Sequence, residues 1–345
     1  MNTEAQSAGA GHVTSVDAAR GLLAFGVMAF HVFSNEGIAD VENVGYYAVY
    51  AFFAISGFAL WISYHGKFQT SADIRSYLIK RFFRIAPLYY TALSLRLLLY
   101  PLPPTWHLDL PANLSLLLGF YNPGATSLVT GGWSLGIEFV FYLMLPILFV
   151  TVRNMTALAL VTAASLMMQF LFINLVLGSA QVMTAPTWSA YSQPASFVGY
   201  FMAGCLIAET YRTSETKKHR YALPLAFASV VIFSMITSPF PIGFLTGWTG
   251  ILLATLTVVF VAGVAFAPSA TGNVRRASIW VGAMSYPVYL LHPLVHYFFS
   301  HTIVFPTSAL RIILTFTGTV VLSMAVSRYV EIPMRNLGRR LAAKT

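Results

Sequence analysis

Apolar residues along this chain come in long blocks, unlike the period-two alternation of a surface strand or the single stripe of a soluble helix. A helix needs about 20 mainly apolar residues to cross a hydrocarbon core. Ten stretches qualify: 15–34, 46–64, 85–101, 133–152, 155–177, 194–211, 221–238, 246–267, 279–299 and 308–330. The third and sixth are short, and 111–121 has the character of a re-entrant or interfacial piece. No internal repeat, low-complexity tract or long linker separates a second unit. The pattern predicts an all-α polytopic membrane protein with about ten transmembrane helices. It divides into a short polar tail (1–14), one membrane domain (15–335) and a basic tail (336–345).

Composition agrees. Apolar residues make up 57% and charged residues 9%, against about a quarter charged in soluble domains, and the mean hydropathy is +0.71. A soluble globular enzyme, a disordered chain and a disulfide scaffold are excluded; Cys205 is the single cysteine. The net charge of +9 would suggest nucleic acid in a soluble protein. Here it follows from where the cations fall, because Lys and Arg accumulate in cytoplasmic loops. With the N-terminus inside, the inner loops carry Lys67, Arg75, Lys80, Arg81 and Arg84, then Arg153, then Arg212, Lys217, Lys218 and Arg220, then Arg275 and Arg276. The outer connections 35–45, 102–132, 178–193, 239–245 and 300–307 contain no Lys or Arg. This asymmetry predicts both termini in the cytoplasm and no nucleic-acid partner. The longest outer connection, 102–132, is rich in proline and aromatics and nearly uncharged. That suits a lid over a carbohydrate or lipid-linked acceptor, or a loop lying against headgroups.

Ionisable groups within or at the ends of the spans are few: Arg20, His31, Arg96, Glu138, Glu209, His292, His296, Arg311, Arg328 and Glu331. Each costs several kcal/mol unless paired or hydrated. Arg20 and His31 are eleven residues apart, within about 20° of one helix face and about 16 Å along it. A guanidinium near the inner end and an imidazole near mid-membrane suit an anionic ligand entering from the cytoplasm; a snorkelling anchor plus a structural histidine is the plainer reading. Arg81 and Arg84, in KRFFRIAPLYY, are i,i+3 neighbours. A guanidinium fork there suits the phosphates of coenzyme A, although for the pair taken alone ordinary positive-inside anchoring is the favoured reading. Glu138, one turn or so into the span that opens with Trp133 and Ser134, needs a partner, an imidazole being the natural one. Tyr289 and His292 face the same way in SYPVYLLHP. His292 and His296 have i,i+4 spacing but no third metal ligand in view. Glu331 is expected near Asp17 and Arg20 as a structural ion pair.

DAARGLLAFGVMAFH, FFAISGF at 52–58, KRFFRIAPLYY, GGWSLGIEFVFYLMLP, SYPVYLLHP and EIP, in that order, resemble the acyltransferase 3 family of ten-span membrane acyltransferases over residues 15–335. The resemblance implies transfer of an acyl group, usually acetyl from acetyl-coenzyme A, to a hydroxyl of a carbohydrate or glycolipid acceptor at the bacterial inner membrane, with no metal. It implies His31, Glu138 and His292 as catalytic residues. Arg20, Arg81 and Arg84 would hold acyl-coenzyme A, and Trp133, Ser134 and Tyr289 the acceptor. His31 would serve either as general base or as acyl-carrying nucleophile. Many members carry an acidic residue just before FFAISGF, where this chain has Tyr50, which implies another tuning group here. With no esterase-like domain after the last span, transfer is expected to finish in the membrane domain or pass to a separate protein. A transporter or flippase of a glycan or lipid precursor is the alternative reading of the same intramembrane charges, and a non-catalytic scaffold a third.

Overall fold

The computed structural model describes residues 13–38, 42–101, 103–178, 180–236 and 242–344. The expected tail 1–14 lies almost wholly outside them. Fourteen α-helices are present among the described residues, and no strand. They are α1 (Thr14–Asn35), α2 (Glu42–Tyr64), α3 (Ser71–Leu99), α4 (Trp106–Ser115), α5 (Pro123–Thr126), α6 (Gly132–Thr151), α7 (Met155–Leu177), α8 (Ala185–Tyr191), α9 (Val198–Thr213), α10 (Ala222–Ser234), α11 (Gly247–Ala265), α12 (Gly272–Thr302), α13 (Ser308–Val326) and α14 (Ile332–Ala342).

The polytopic all-α class holds, and each of the ten expected stretches falls on a helix. Seven helical segments are long and apolar enough to cross a bilayer: α1, α2, α3, α6, α7, α11 and the run Ser308–Ala342. The other three expected spans differ for separate reasons. α9 has 16 residues and α10 has 13, short of the length a hydrocarbon core requires. α12 has 31 residues, but its middle carries Ser285, His292, His296 and two prolines, which dilute its hydropathy.

Helix boundaries follow local chemistry. α3 begins 14 residues before the expected span, because Thr70 and Asp73 form a capping box: Asp73 N–H donates to Thr70 Oγ1 (3.3 Å) and Thr70 N–H to Asp73 Oδ2 (2.8 Å). The cationic stretch containing Arg81 and Arg84 is therefore helical and continuous with the apolar part. Asn154 caps α7 in the same way, accepting from Ala157 N–H at 2.8 Å. A π-helical turn, Ser327–Glu331, joins α13 to α14. α14 packs along α3 with Gly338 against Phe83, so the expected basic tail is largely a docked helix.

Helices α1 and α12 come from opposite ends of the chain, run in the same direction and pack closely. A Cβ on Gly21 would lie 2.3 Å from the Val281 carbonyl oxygen, and one on Gly282 would lie 2.8 Å from that of Asp17. Small residues let membrane helices approach this closely. Ala24, Val27, Met28, Val32, Met284 and Val288 fill the seam above them.

The described part of the 102–132 connection, residues 103–132, is folded rather than loose. Asn113, fully buried, accepts from the Tyr89 hydroxyl (2.6 Å) and Leu128 N–H (3.0 Å). It donates to the carbonyls of Asp109 and Thr126, both at 2.8 Å. One amide with all its bonding capacity used pins this segment to α3 as a fixed cap.

Candidate active site

The seam between α1 and α12 carries polar contacts at three levels. At the first, Arg20 Nε donates to Ser285 Oγ (3.1 Å), and its Nη2 donates to Asp17 Oδ1 and the Gly282 carbonyl (both 3.4 Å). Seven residues further along α12, about 10 Å by helix rise, the rings of His31 and His292 stack with centroids 5.3 Å apart and planes at 29°. Phe30 lies against His31 at 4.5 Å. The third level is a partly buried ion cluster. Glu36 takes Arg311 Nε at 2.6 Å and a second contact from Arg311 Nη2, and it pairs with His296 Nε2 at 3.1 Å.

His292 is 1% exposed. Its Nδ1 lies 2.9 Å from the Val288 carbonyl oxygen. A carbonyl only accepts, so Nδ1 carries the proton and Nε2 holds the lone pair. That Nε2 is buried with no hydrogen-bond partner. A buried base nitrogen left open beside a second imidazole is a site for a proton in transit or for a substrate hydroxyl.

Towards the cytoplasmic end expected from the charge pattern, the arginines separate. Arg84 Nη1 donates to Glu331 Oε1 at 2.6 Å, and Arg335 shares that oxygen at 3.4 Å. Glu331, expected beside Asp17 and Arg20, is instead drawn to Arg84 by the π-helical turn that turns its side chain towards α3. Arg81 forms no ion pair among the described residues. Its guanidinium lies over the rings of Tyr64 (5.3 Å), Tyr142 (5.8 Å) and Tyr77 (5.9 Å) and donates to the Tyr64 hydroxyl at 3.1 Å. Cation–π contacts hold the group without neutralising it. The expected fork is therefore two arginines in different roles: Arg84 compensated, Arg81 available to an anion.

Glu138 does not pair with an imidazole. It accepts from Ser56 Oγ and from the Tyr142 hydroxyl, both at 2.7 Å. Two hydroxyl donors from α2 and from its own helix supply what the sequence reading assigned to histidine. Because Tyr142 also lies under Arg81, Glu138 belongs to the Arg81 side of the site, within electrostatic reach of Arg20.

On the opposite side, Ser134 Oγ and the Tyr289 hydroxyl are 2.8 Å apart, and Ser134 donates to the Gly131 carbonyl at 2.9 Å. Gly131 has φ +81°, and a Cβ there would lie 2.9 Å from the Tyr289 ring, so only glycine fits this turn. Trp133 meets Trp188 edge-on at 5.0 Å and Phe197 at 5.5 Å. Tyr50 is buried beside them, its hydroxyl bonded to that of Tyr191 and its ring stacked on Tyr200 at 4.4 Å. A neutral aromatic network occupies that position.

Residues 13–328 match the family profile described as Acyltransferase domain, Acyl_transf_3. The chain belongs to the acyltransferase 3 family. No curated protein and no solved structure matches it. Membership identifies a membrane acyltransferase. For an acyltransferase, the arrangement brings three groups along one seam: a cationic tyrosine-lined end, the Ser134–Tyr289 hydroxyls with the neighbouring indoles, and, one turn further along α12, the pair of imidazoles. Ser56, Tyr64, Tyr142, Glu36 and His296 join the expected residues. Ser56 had a legible signal as the lone hydroxyl within FFAISGF, and Tyr142 as the residue one turn from Glu138. Glu36 had none, since it falls in an outer connection. Among the described residues no three His, Cys, Asp or Glu side chains converge as a metal site, and His296 turns to Glu36 rather than sharing a ligand position with His292.

Proposed function

We propose that this acyltransferase moves an acetyl group from acetyl-coenzyme A to a hydroxyl of a cell-surface carbohydrate or lipid-linked sugar, working in the bacterial inner membrane with both termini in the cytoplasm. The observation that carries the reading is the stacked His31–His292 pair, with the His292 Nε2 unpartnered, one helical turn along α12 from the Ser134–Tyr289 hydroxyls and about 10 Å from the Arg20–Ser285 contact. Arg81, held by tyrosine rings and the Tyr64 hydroxyl with no carboxylate, would take the phosphates of the donor together with Arg20. Glu138 orients Tyr142 and thereby the ring beneath Arg81. Trp133 and Trp188 offer the apolar faces on which a sugar ring packs, and Ser134 and Tyr289 offer hydroxyls to its polar edge.

In this reading the imidazole pair acts as general base. It removes the acceptor hydroxyl proton as that oxygen attacks the thioester carbonyl carbon. The carbon–oxygen bond forms, the carbon–sulfur bond breaks, and the proton passes from imidazole to the departing thiolate. The products are the acyl ester and free coenzyme A thiol.

The test uses membranes given radiolabelled acetyl-coenzyme A, with mass spectrometry of the surface glycans. Wild-type protein adds one acetyl mass to a sugar fragment, and acid-quenched protein carries no label. His31→Ala, inserted at wild-type level, lowers transfer by about 100- to 10,000-fold, the range for loss of a general base. Wild-type transfer in that variant overturns the mechanism.

A further inference from the structure

On the far side of α1 from the imidazole pair lies a crevice of about 1020 Å³, walled by α1, α2, α10, α11 and α12. Leu22 and Gly26 of α1 line it. Leu22 is nine residues from His31, half a turn out of phase, so the crevice does not open towards the site described above. Its walls are mostly apolar, with Phe227, Val230, Phe233 and Phe260 among them, and Ser15 and Ser278 at one end.

That same end carries a concentration of positive charge. Leu223 and Val274 line the crevice; Arg220 lies three residues before the first, and Arg275 and Arg276 directly follow the second. The backbone N–H of His219 donates to the Phe266 carbonyl at 3.0 Å, which ties the Lys217–Arg220 turn to the end of α11, beside the lining residue Pro268. None of Lys217, Lys218, Arg220, Arg275 and Arg276 forms an ion pair among the described residues. Only Arg220 and Lys217 find ring faces, on Tyr221 and Tyr211. Every carboxylate in a salt bridge is spent elsewhere.

We infer that the crevice is a binding site for an anionic phospholipid, its acyl chains between α1 and α10 and its phosphate on Arg220 and Arg275; Arg276, half a turn from the lining residues Val274 and Ser278, faces away. Apolar walls alone would accept any lipid. The uncompensated cations at one mouth select a negative headgroup, as basic pockets between membrane helices do. The bound lipid completes the wall that the 13-residue α10 is too short to form, and it does so apart from the acyl-transfer reaction.

The experiment places the full-length protein in nanodiscs of phosphatidylcholine with phosphatidylglycerol, extracts it gently and reads retained lipid by native mass spectrometry. Wild-type protein retains one phosphatidylglycerol in preference to phosphatidylcholine. The combined variant R220Q/R275Q, whose changes are near the surface, loses that preference by about 30-fold. Gly26→Leu extends a side chain into the crevice where a Cβ meets only Val44 Cγ1, at 3.5 Å. It expels the lipid with the cations intact. Equal retention of both lipids by wild-type protein overturns the inference, as does unchanged preference in the arginine variant. Retention in a folded Gly26→Leu protein, checked by its melting curve, places the lipid on the surface and overturns the crevice. Each readout is independent of acyltransferase activity, so a failure here is distinct from a failure of the proposed reaction.

Discussion

At the scale of single residues, the site separates groups that hold charge from groups that spend it. Arg81 sits among three tyrosines, a cage that a planar guanidinium fits and a point-charge ammonium does not. Arg81→Lys is expected to raise KM for the acyl donor about 10-fold or more while leaving kcat within a few-fold, read by steady-state kinetics at varied donor. Glu36 is the converse case. Hydrogen bonds from Arg311 hold its carboxyl below the usual carboxylate range, against the desolvation of burial and with help from His296. A depressed folded-state value means stability present above the unfolded carboxylate pKa of about 4.3, lost as pH falls through the folded-state value. Melting temperature measured down an acid series should therefore fall more steeply for wild type than for Glu36→Gln. Identical slopes would show that the cluster adds nothing to stability. The ionisable groups inside helices were legible from the sequence, because each costs too much to be incidental. Glu36 was not, since a carboxylate one residue beyond a helix looks solvated until α13 brings Arg311 to it.

At the scale of elements, the close packing of α1 on α12 sets the distance at which the two imidazoles meet. Gly21→Ala places a methyl 2.3 Å from a backbone oxygen that cannot rotate away. Overpacking of this kind costs about 1–3 kcal/mol. The expected outcome is a lower melting temperature together with loss of acyl transfer, because separating the helices also separates His31 from His292. Normal activity in a stable Gly21→Ala protein would mean that the spacing is not held here. Helix positions were readable from apolar block length, and their ends less so. The start of α3 was missed because charge density looked like a loop, whereas a Thr–Asp capping box made it helix. The partner of Glu138 was missed for a related reason: chain order does not reveal that α2 delivers Ser56 to it.

For the whole molecule, the distribution of cations predicts ten crossings, while seven segments are individually long and apolar enough. The three expected spans outside that set are the short α9 and α10 and the polar α12. Single cysteines introduced into a Cys205→Ser background decide the count. His107→Cys and Thr302→Cys should react with a membrane-impermeant maleimide from outside intact cells, and Lys217→Cys and Arg276→Cys only after lysis. Labelling of Lys217→Cys in intact cells would require a different number of crossings. Global class and charge asymmetry are additive properties and survive in composition. The order of groups through the site is a property of three-dimensional packing, and only family motifs hinted at it.

The pairing of the first helix with one that begins at residue 272 has a consequence for biosynthesis. At 5–20 residues per second, α1 waits about 12–50 s in the bilayer before its partner emerges from the ribosome. Throughout that interval Arg20 lacks its contacts to Ser285 and Gly282, and His31 lacks the His292 ring. Chains that stall before α12 display this incomplete face of α1, a mark that distinguishes an unfinished enzyme from a finished one.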